Sequence, residues 1–412
     1  MAKLLVSCGL AKCVKRHPVI CAVDATISIG AAYLWNKGYN CLPSTMSLCC
    51  IGGTYLYCRA KSRDRIASNH AVVVTGCDSG LGYSLALHCR QLGATVIAGV
   101  LEYDGLGARK LKEKDIFVHP LDVTKTESVV DFTSYVQALL REKDLALRCL
   151  VNNAAVMIFG EFEWQAEDQM RSQVEVNFLG TMRITRELIP TIRAHSSRII
   201  VVSSHCNIQP IPGVAAYSGT KAAINAWATA IRVELKKYGV RVVCFIPGSF
   251  VSESNILVRQ AEHFESMRKS MSEEARAFYG DYFTRYSQYF SSVSQGTNVE
   301  KLQDSGIYEV FEGALLDKYP SAIYKNESWR YFVYHALFTI TPTCLRDLLV
   351  QKFVQGPPWT RNALSKAQIV DDSQSLNGKA RGSSTSKILK GTFDPSTNKE
   401  GRTTDQDSES RT

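Results

Sequence analysis

An α/β fold built on a doubly wound parallel sheet is what this chain predicts, and three observations carry that expectation. From Ala71 onwards, short apolar, largely β-branched runs alternate with longer stretches of helical periodicity. The first run leads directly into a glycine-rich turn, Thr75-Gly76-Cys77-Asp78-Ser79-Gly80-Leu81-Gly82. Polar residues gather at the ends of the runs, where open parallel sheets bind their ligands.

The 412 residues leave room for one large domain with extensions or for two smaller domains. A hydrophobic content of 45% suffices for a core. The net charge of +9 is modest for this length and its basic residues are spread along the chain, which argues against a nucleic-acid partner. Thirteen cysteines, seven of them before residue 60, follow neither disulfide nor metal-ligand spacing. They read as reduced, small apolar residues on the cytosolic side of the redox divide, and no metal is expected.

Residues 1–65 differ in character from the rest of the chain. Lys3, Lys12, Lys15 and Arg16 precede an apolar stretch from Pro18 to Trp35; a second runs from Leu42 to Cys58 and closes on Arg59, Lys61, Arg63 and Arg65. Basic residues outside both stretches, with only Lys37 between them, fit a membrane hairpin whose two ends face the cytoplasm. A mitochondrial presequence and a pair of soluble core helices are the competing readings.

The expected catalytic core spans residues 66–255. Strand Ala71–Val74, the glycine-rich turn, helix Tyr83–Gln91 and strand Ala94–Leu101 form a βαβ unit of the kind that binds a dinucleotide. Its glycines let the backbone approach a pyrophosphate at the helix N-terminus. Glu102, about twenty residues past the last glycines, stands where a carboxylate accepts hydrogen bonds from ribose hydroxyls. It would repel the additional phosphate of NADP, so NAD is expected over NADP. Strand Ile116–Leu121 ends at Asp122 and is followed by helix Thr126–Leu140. Strand Cys149–Val151 ends in Asn152-Asn153-Ala154-Ala155, and a helix from Gln165 to Ile189 carries Asn177 and stops at Pro190. Strand Ile199–Val202, helix Tyr217–Lys237 and strand Val240–Ile246, which closes at Pro247-Gly248, complete the core. Tyr217 and Lys221 stand four residues apart and share a helix face, where an ammonium stabilises a phenolate. A bare Tyr-x-x-x-Lys recurs by chance on solvated helices. Here Gly76, Glu102, Asp122, Asn152, Ser204 and Gly248 converge on the same sheet edge, which favours a site.

These motifs resemble the short-chain dehydrogenase/reductase superfamily: TGCDSGLG at 75–82, LDV at 121–123, NNAA at 152–155, NFLG at 177–180, Ser204, YSGTK at 217–221 and PGSF at 247–250. The TGCDSG wording, the VLE ending of the second strand and AFYGDYF at 277–283 look like one branch. That branch holds the type 2 11β- and 17β-hydroxysteroid dehydrogenases, retinol dehydrogenases and D-3-hydroxybutyrate dehydrogenase. The resemblance implies a Rossmann-type fold and a catalytic set of Asn177, Ser204, Tyr217 and Lys221. Tyr217 would be the general base in oxidation, Lys221 would depress its pKa and hold the nicotinamide ribose, and Ser204 would orient the substrate oxygen. Asn177 would hold a water and the neighbouring backbone. Thr75, Gly76, Asp78, Ser79, Gly80, Leu81, Gly82, Glu102, Asp122, Val123, Asn152, Asn153, Ala154, Pro247, Gly248 and Phe250, together with Tyr217 and Lys221, would bind the cofactor. Two departures stand out: Ala155 replaces the glycine of the family's NNAG, and Ser252 stands where Thr is frequent. The family also implies a homodimer or tetramer.

Residues 256–358 are expected to cover the substrate. Tyr279, Tyr282, Tyr286 and Tyr289 fall on one helix stripe, either against a flat apolar ligand or in a core. Trp329 to Phe353 is aromatic and apolar, and Phe332, Tyr334, Leu337 and Phe338 suit either a membrane surface or ordinary packing. The polar tail, 359–412, reads as disordered. The expected activity is NAD-dependent oxidation of an alcohol on a lipophilic substrate, a steroid or retinoid, by a cytosolic domain anchored to the endoplasmic reticulum. The alternatives are a mitochondrial 3-hydroxybutyrate-type enzyme and a non-catalytic NAD-binding protein.

Overall fold

The computed structural model describes Tyr33 and residues 62–248, 255–293, 299–354 and 356–359. The apolar N-terminal stretches apart from Tyr33, together with Phe250, Ser252 and the polar tail beyond Trp359, lie outside the described residues. Among the described residues no helix is long and apolar enough to cross a membrane.

Among the described residues, seven parallel strands form one sheet in the order β3-β2-β1-β4-β5-β6-β7. They are β1 (His70–Thr75), β2 (Thr95–Val100), β3 (Phe117–Pro120), β4 (Ala146–Asn152), β5 (Arg198–Val202), β6 (Arg241–Ile246) and β7 (Ile323–Lys325). β1 lies between β2 and β4, in register Val73 to Ile97 and Val73 to Leu150, so the direction of winding reverses between β1 and β4. That reversal opens the crevice in which doubly wound sheets take ligands.

Alternation along β1 divides the core. Val72 and Val74 face one layer, with α1 (Gly80–Gln91), α2 (Leu106–Lys112) and α9 (Ser305–Leu316). Ala71 and Val73 face the other, with α3 (Thr126–Glu142), α5 (Thr181–Ala194) and α6 (Ala215–Lys236). Burial on both faces explains the continuous apolar runs, since parallel strands covered by helices cannot alternate with solvent.

Three sequence expectations change. The helix from Gln165 to Ile189 is in fact α4 (Glu167–Val174), a π-helical turn (Glu175–Gly180) and α5. Pro190 does not end α5, which continues to Ala194. Ile184, Leu188 and Ile192 are each fully buried against the sheet. Ile192 is the one of these beyond Pro190, and its burial, worth roughly 1.5–3 kcal/mol, offsets most of the cost of about 3 kcal/mol for an internal proline. Finally, the stretch expected to cover the substrate also contributes α9 and β7 to the core. Arg198, buried in β5, donates to the carbonyls of Ala314 and Asp317 at 2.6 and 2.7 Å, neutralising the C-terminal end of α9.

The remainder packs around Trp164. Tyr279, Tyr282 and Tyr286 of α8 (Glu273–Val293) meet its ring edge-on at 5.0–5.6 Å, together with Phe283. Of the two readings of the tyrosine stripe, core packing holds for Tyr282 and Tyr286, while Tyr279 is half-buried at the edge of the cluster and Tyr289 is exposed. α7 (Gln260–Ser270) completes this cluster, and α10 (Trp329–Ile340) and α11 (Thr343–Val354) follow β7. The described cysteines, Cys77, Cys89, Cys149, Cys206, Cys244 and Cys344, are free thiols.

Candidate active site

The glycine-rich turn follows β1 because two of its backbones must pass closer than any side chain permits. Gly76 has φ +68°, and a Cβ there would lie 2.8 Å from Ala154 Cα. A Cβ on Gly82 would stand 2.1 Å from the carbonyl oxygen of Gly76. Ser79 precedes α1 without capping it through its side chain, which leaves the helix N-terminus and its N–H groups to an anion. This cradle fits the pyrophosphate of a dinucleotide.

Thr75 and Asn153 lock the turn to the end of β4. Thr75 Oγ1 meets the amides of Asn153 and Ala154, both at 3.0 Å, and Asn153 Nδ2 donates to the carbonyls of Thr75 and Gly76 at 2.9 and 3.1 Å. The Asp78 carboxylate accepts from the amides of Leu101 and Glu102 at 2.8–3.0 Å, setting the end of β2. Asp122 Oδ1 accepts from the Thr124 amide and hydroxyl, and Lys125 pairs with Oδ2 at 3.2 Å. Partial burial raises the Asp122 pKa, but these bonds outweigh it and the net shift is downward.

A cavity of about 430 Å³ starts at this turn, runs past Ser204, Tyr217 and Lys221, and ends among Met157, Phe159, Ile211, Val214, Phe338 and Phe353. Its wall includes most of the expected cofactor residues: Gly76, Asp78, Ser79, Gly80, Leu81 and Gly82 on one side, with Asp122, Val123, Asn153, Ala154, Pro247 and Gly248 on the other. Ala155, the departure from NNAG, also lines it. Thr75, Asn152 and Asn177 are instead buried behind the wall. They hold backbone and neighbouring side chains in place and present nothing to the cavity. Glu102 is exposed at the end of β2 and stands outside the lining.

Asn177 occupies the π-helical turn, an irregularity that recurs at functional sites. Its Oδ1 accepts from the Val156 amide at 2.8 Å, while Nδ2 donates to the Val156 carbonyl at 2.9 Å and to Thr220 Oγ1 at 3.1 Å. Thr220 in turn donates to the Tyr217 carbonyl at 2.7 Å. One amide therefore ties the cavity wall after β4 to the helix carrying Tyr217 and Lys221.

Lys221 Nζ donates to the Val202 carbonyl at 3.0 Å and lies 5.6 Å from the centre of the Tyr217 ring. Burial pushes the Lys221 ammonium down to about 8. Burial also pushes the Tyr217 phenol well above its ordinary value; the Cys206 charge adds to this and a hydrogen bond with Ser204 opposes it. The expected depression of Tyr217 by Lys221 is thus reversed in the protein alone, because removing both groups from water disfavours phenolate and ammonium alike. Ser204 Oγ accepts from the Cys206 amide at 3.2 Å, which fixes the hydroxyl at the start of a short 3₁₀ turn, His205–Asn207.

Several lining residues carry no motif of their own. His205 and Cys206 directly follow Ser204, so adjacency was their available signal. Tyr331, His335, Phe338 and Phe353 arrive from α10 and α11, and only the docking of those helices brings them to the cavity.

A short chain dehydrogenase family model matches residues 70–263. Estradiol 17-beta-dehydrogenase 2 of Rattus norvegicus is 31% identical over 347 residues, covering 82% of this chain and 88% of that protein. The mitochondrial D-beta-hydroxybutyrate dehydrogenase of the same organism is 28% identical, over 68% of this chain and 83% of that one. Retinol dehydrogenase 7 of Rattus norvegicus is also 28% identical, over 68% and 87%. With the matched segment beginning at β1 and carrying the whole Ser204–Tyr217–Lys221 constellation, this chain belongs to the short-chain dehydrogenase family and is an oxidoreductase of the branch that contains these three enzymes.

Proposed function

We propose that the protein binds NAD and oxidises a hydroxyl group on a lipophilic alcohol, a steroid or a retinoid. The observation carrying this reading is the course of the cavity, from a phosphate cradle past a buried phenol to an apolar end. An apolar lining with a few convergent polar groups selects a substrate by burial and orients it by hydrogen bonding. Names of the relatives, an estradiol and a retinol dehydrogenase, support the same substrate class.

Ser204 would hold the substrate oxygen, and Tyr217 would take the hydroxyl proton as general base. Lys221, fixed by Val202, would stand beside the phenol and the ribose. The nicotinamide, when bound, accepts the hydride and adds positive charge near the phenolate. Asn177 would keep the wall and the Tyr217 helix in register. Glu102 supports NAD over NADP, since it stands at the end of β2 and would repel a 2′-phosphate.

The N-terminal apolar stretches support anchoring to the endoplasmic reticulum membrane, with the catalytic domain on the cytosolic side. Trp329, Phe332 and Ile340 of α10, 79%, 63% and 76% exposed, suit contact with that surface. Purified full-length protein should be assayed with estradiol, retinol and 3-hydroxybutyrate, each with NAD and NADP. Turnover of a lipophilic alcohol with NAD is expected, whereas preferential oxidation of 3-hydroxybutyrate would overturn the substrate reading. Membrane association that resists carbonate extraction is expected in cells, and a cleaved mitochondrial matrix form would refute the location.

A further inference from the structure

We propose that His205, Glu327 and His335 form a binding site for a divalent transition metal of the zinc class. The site lies beside the substrate end of the cavity and goes beyond the dehydrogenase reading. The three residues come from separate elements: the turn after Ser204, the connection after β7, and the second turn of α10. One ligand atom from each lies within 4.8 Å of the others. Two imidazole nitrogens and a carboxylate oxygen are the donor set a borderline ion prefers.

The geometry favours a shared ion over a simple ion pair. His335 Nδ1 contacts Glu327 Oε1 directly, and that bond accounts for one imidazole. His205 Nδ1 stands 3.9 Å from the same oxygen, beyond hydrogen-bond reach. Ligand atoms at about 2.0–2.2 Å from a tetrahedral zinc are roughly 3.4 Å apart. Placing an ion among them therefore requires the His335 contact to open and the His205 gap to close. The two imidazole rings already face each other, with centroids 4.5 Å apart and planes inclined by 36°. All three side chains are partly buried, 13–18% exposed, and His205 also makes a hydrogen bond with the backbone of Asn326.

A second cavity, of about 170 Å³, is lined by the same three residues and by Gln209, Lys325 and Thr339. It offers room for a fourth ligand, and the Lys325 ammonium favours an anionic one such as hydroxide. His205 and His335 also line the larger cavity. An ion held here would tie α10, which covers the substrate end, to the turn that carries Ser204.

The test uses full-length protein in detergent, stripped with a chelator and titrated with Zn²⁺ by calorimetry and with Co²⁺ by absorption. The expected result is one equivalent bound, a raised melting temperature, and a tetrahedral cobalt spectrum free of thiolate charge transfer. His205→Ala, His335→Ala and Glu327→Gln should each weaken that equivalent by at least about tenfold. Where a variant fails to fold, as read by circular dichroism without metal, X-ray absorption of the zinc-loaded parent decides. Two imidazoles and a carboxylate support the site, and a sulfur shell refutes it. Failure to take up an equivalent, or an equivalent that persists unchanged in the folded variants, overturns the proposal.

Discussion

Lys221 donates to the carbonyl of Val202, the last residue of β5, at 3.0 Å, and this bond fixes the ammonium two residues before Ser204. The bond does not offset the removal of Lys221 from water, since its pKa falls to about 8. Between about pH 8 and the unperturbed lysine pKa, the unfolded chain holds a proton that the folded chain has released. Folding stability should therefore rise with pH through that window. Lys221→Met removes this dependence. The wild type should gain about 1 kcal/mol over the variant between pH 8 and pH 9, as read by urea unfolding at each pH. A constant difference would show that Lys221 is not displaced from its ordinary range.

Tyr217→Phe removes the phenol oxygen and leaves the buried ring in place. If Tyr217 is the general base, kcat should drop by about 10²–10⁴ with little change in cofactor binding. Rapid-mixing assays of alcohol oxidation, paired with NAD titration by fluorescence, measure both. Unchanged turnover would favour a non-catalytic NAD-binding protein.

Asn177→Ala leaves the Val156 amide and carbonyl, which are partly buried in the cavity wall, without their partner. A loss of about 1–3 kcal/mol in unfolding free energy is expected, the lower part of the range that two orphaned groups at about 1–3 kcal/mol each would give when buried. Asn177→Asp keeps the acceptor for the Val156 amide and places a carboxylate against its carbonyl, so it should not rescue the loss. Urea midpoints of the three proteins test this.

Gly76→Ala would force a Cβ to within 2.8 Å of Ala154 Cα at a positive φ. The strain is of order 1–3 kcal/mol, and relieving it moves the turn away from the pyrophosphate position. NAD affinity should fall about tenfold or more by titration. Retained affinity would show that the turn does not hold the phosphates.

Glu102→Gln removes the charge expected to exclude NADP. The ratio of kcat/KM for NAD to that for NADP should fall by about tenfold relative to the wild type. Equal ratios in the two proteins would move cofactor choice to another residue.

Most of the sheet was legible because its signals are local. β1, β2, β4, β5 and β6 are mostly apolar runs buried on both faces, and such a run states its environment without reference to distant residues. β7 was not legible: Ile323–Lys325 is three residues long, with only Tyr324 buried, and its pairing with β6 supplies the order that its own composition lacks. The helix boundary at Pro190 failed for a related reason, since the burial that carries α5 past the proline lies on the sheet beneath it.

At the site, the chain by itself determined which groups reach the carboxyl edge of the sheet, because each follows a strand and cannot be elsewhere. The glycine-rich turn, Asp122, Asn153 and Ser204 are of this kind, whereas Tyr217 and Lys221 share a face of the helix that follows the loop after Ser204. Tertiary structure decided what each does there. It placed Thr75, Asn152 and Asn177 behind the wall, turned the Asp78 carboxylate to the end of β2, and reversed the expected shift of Tyr217 by burying it. It also carried His335 of α10 to His205. Spacing along a chain records which residues share a strand end or a helix face, whereas desolvation and long-range contact depend on the packing of segments that the spacing does not relate.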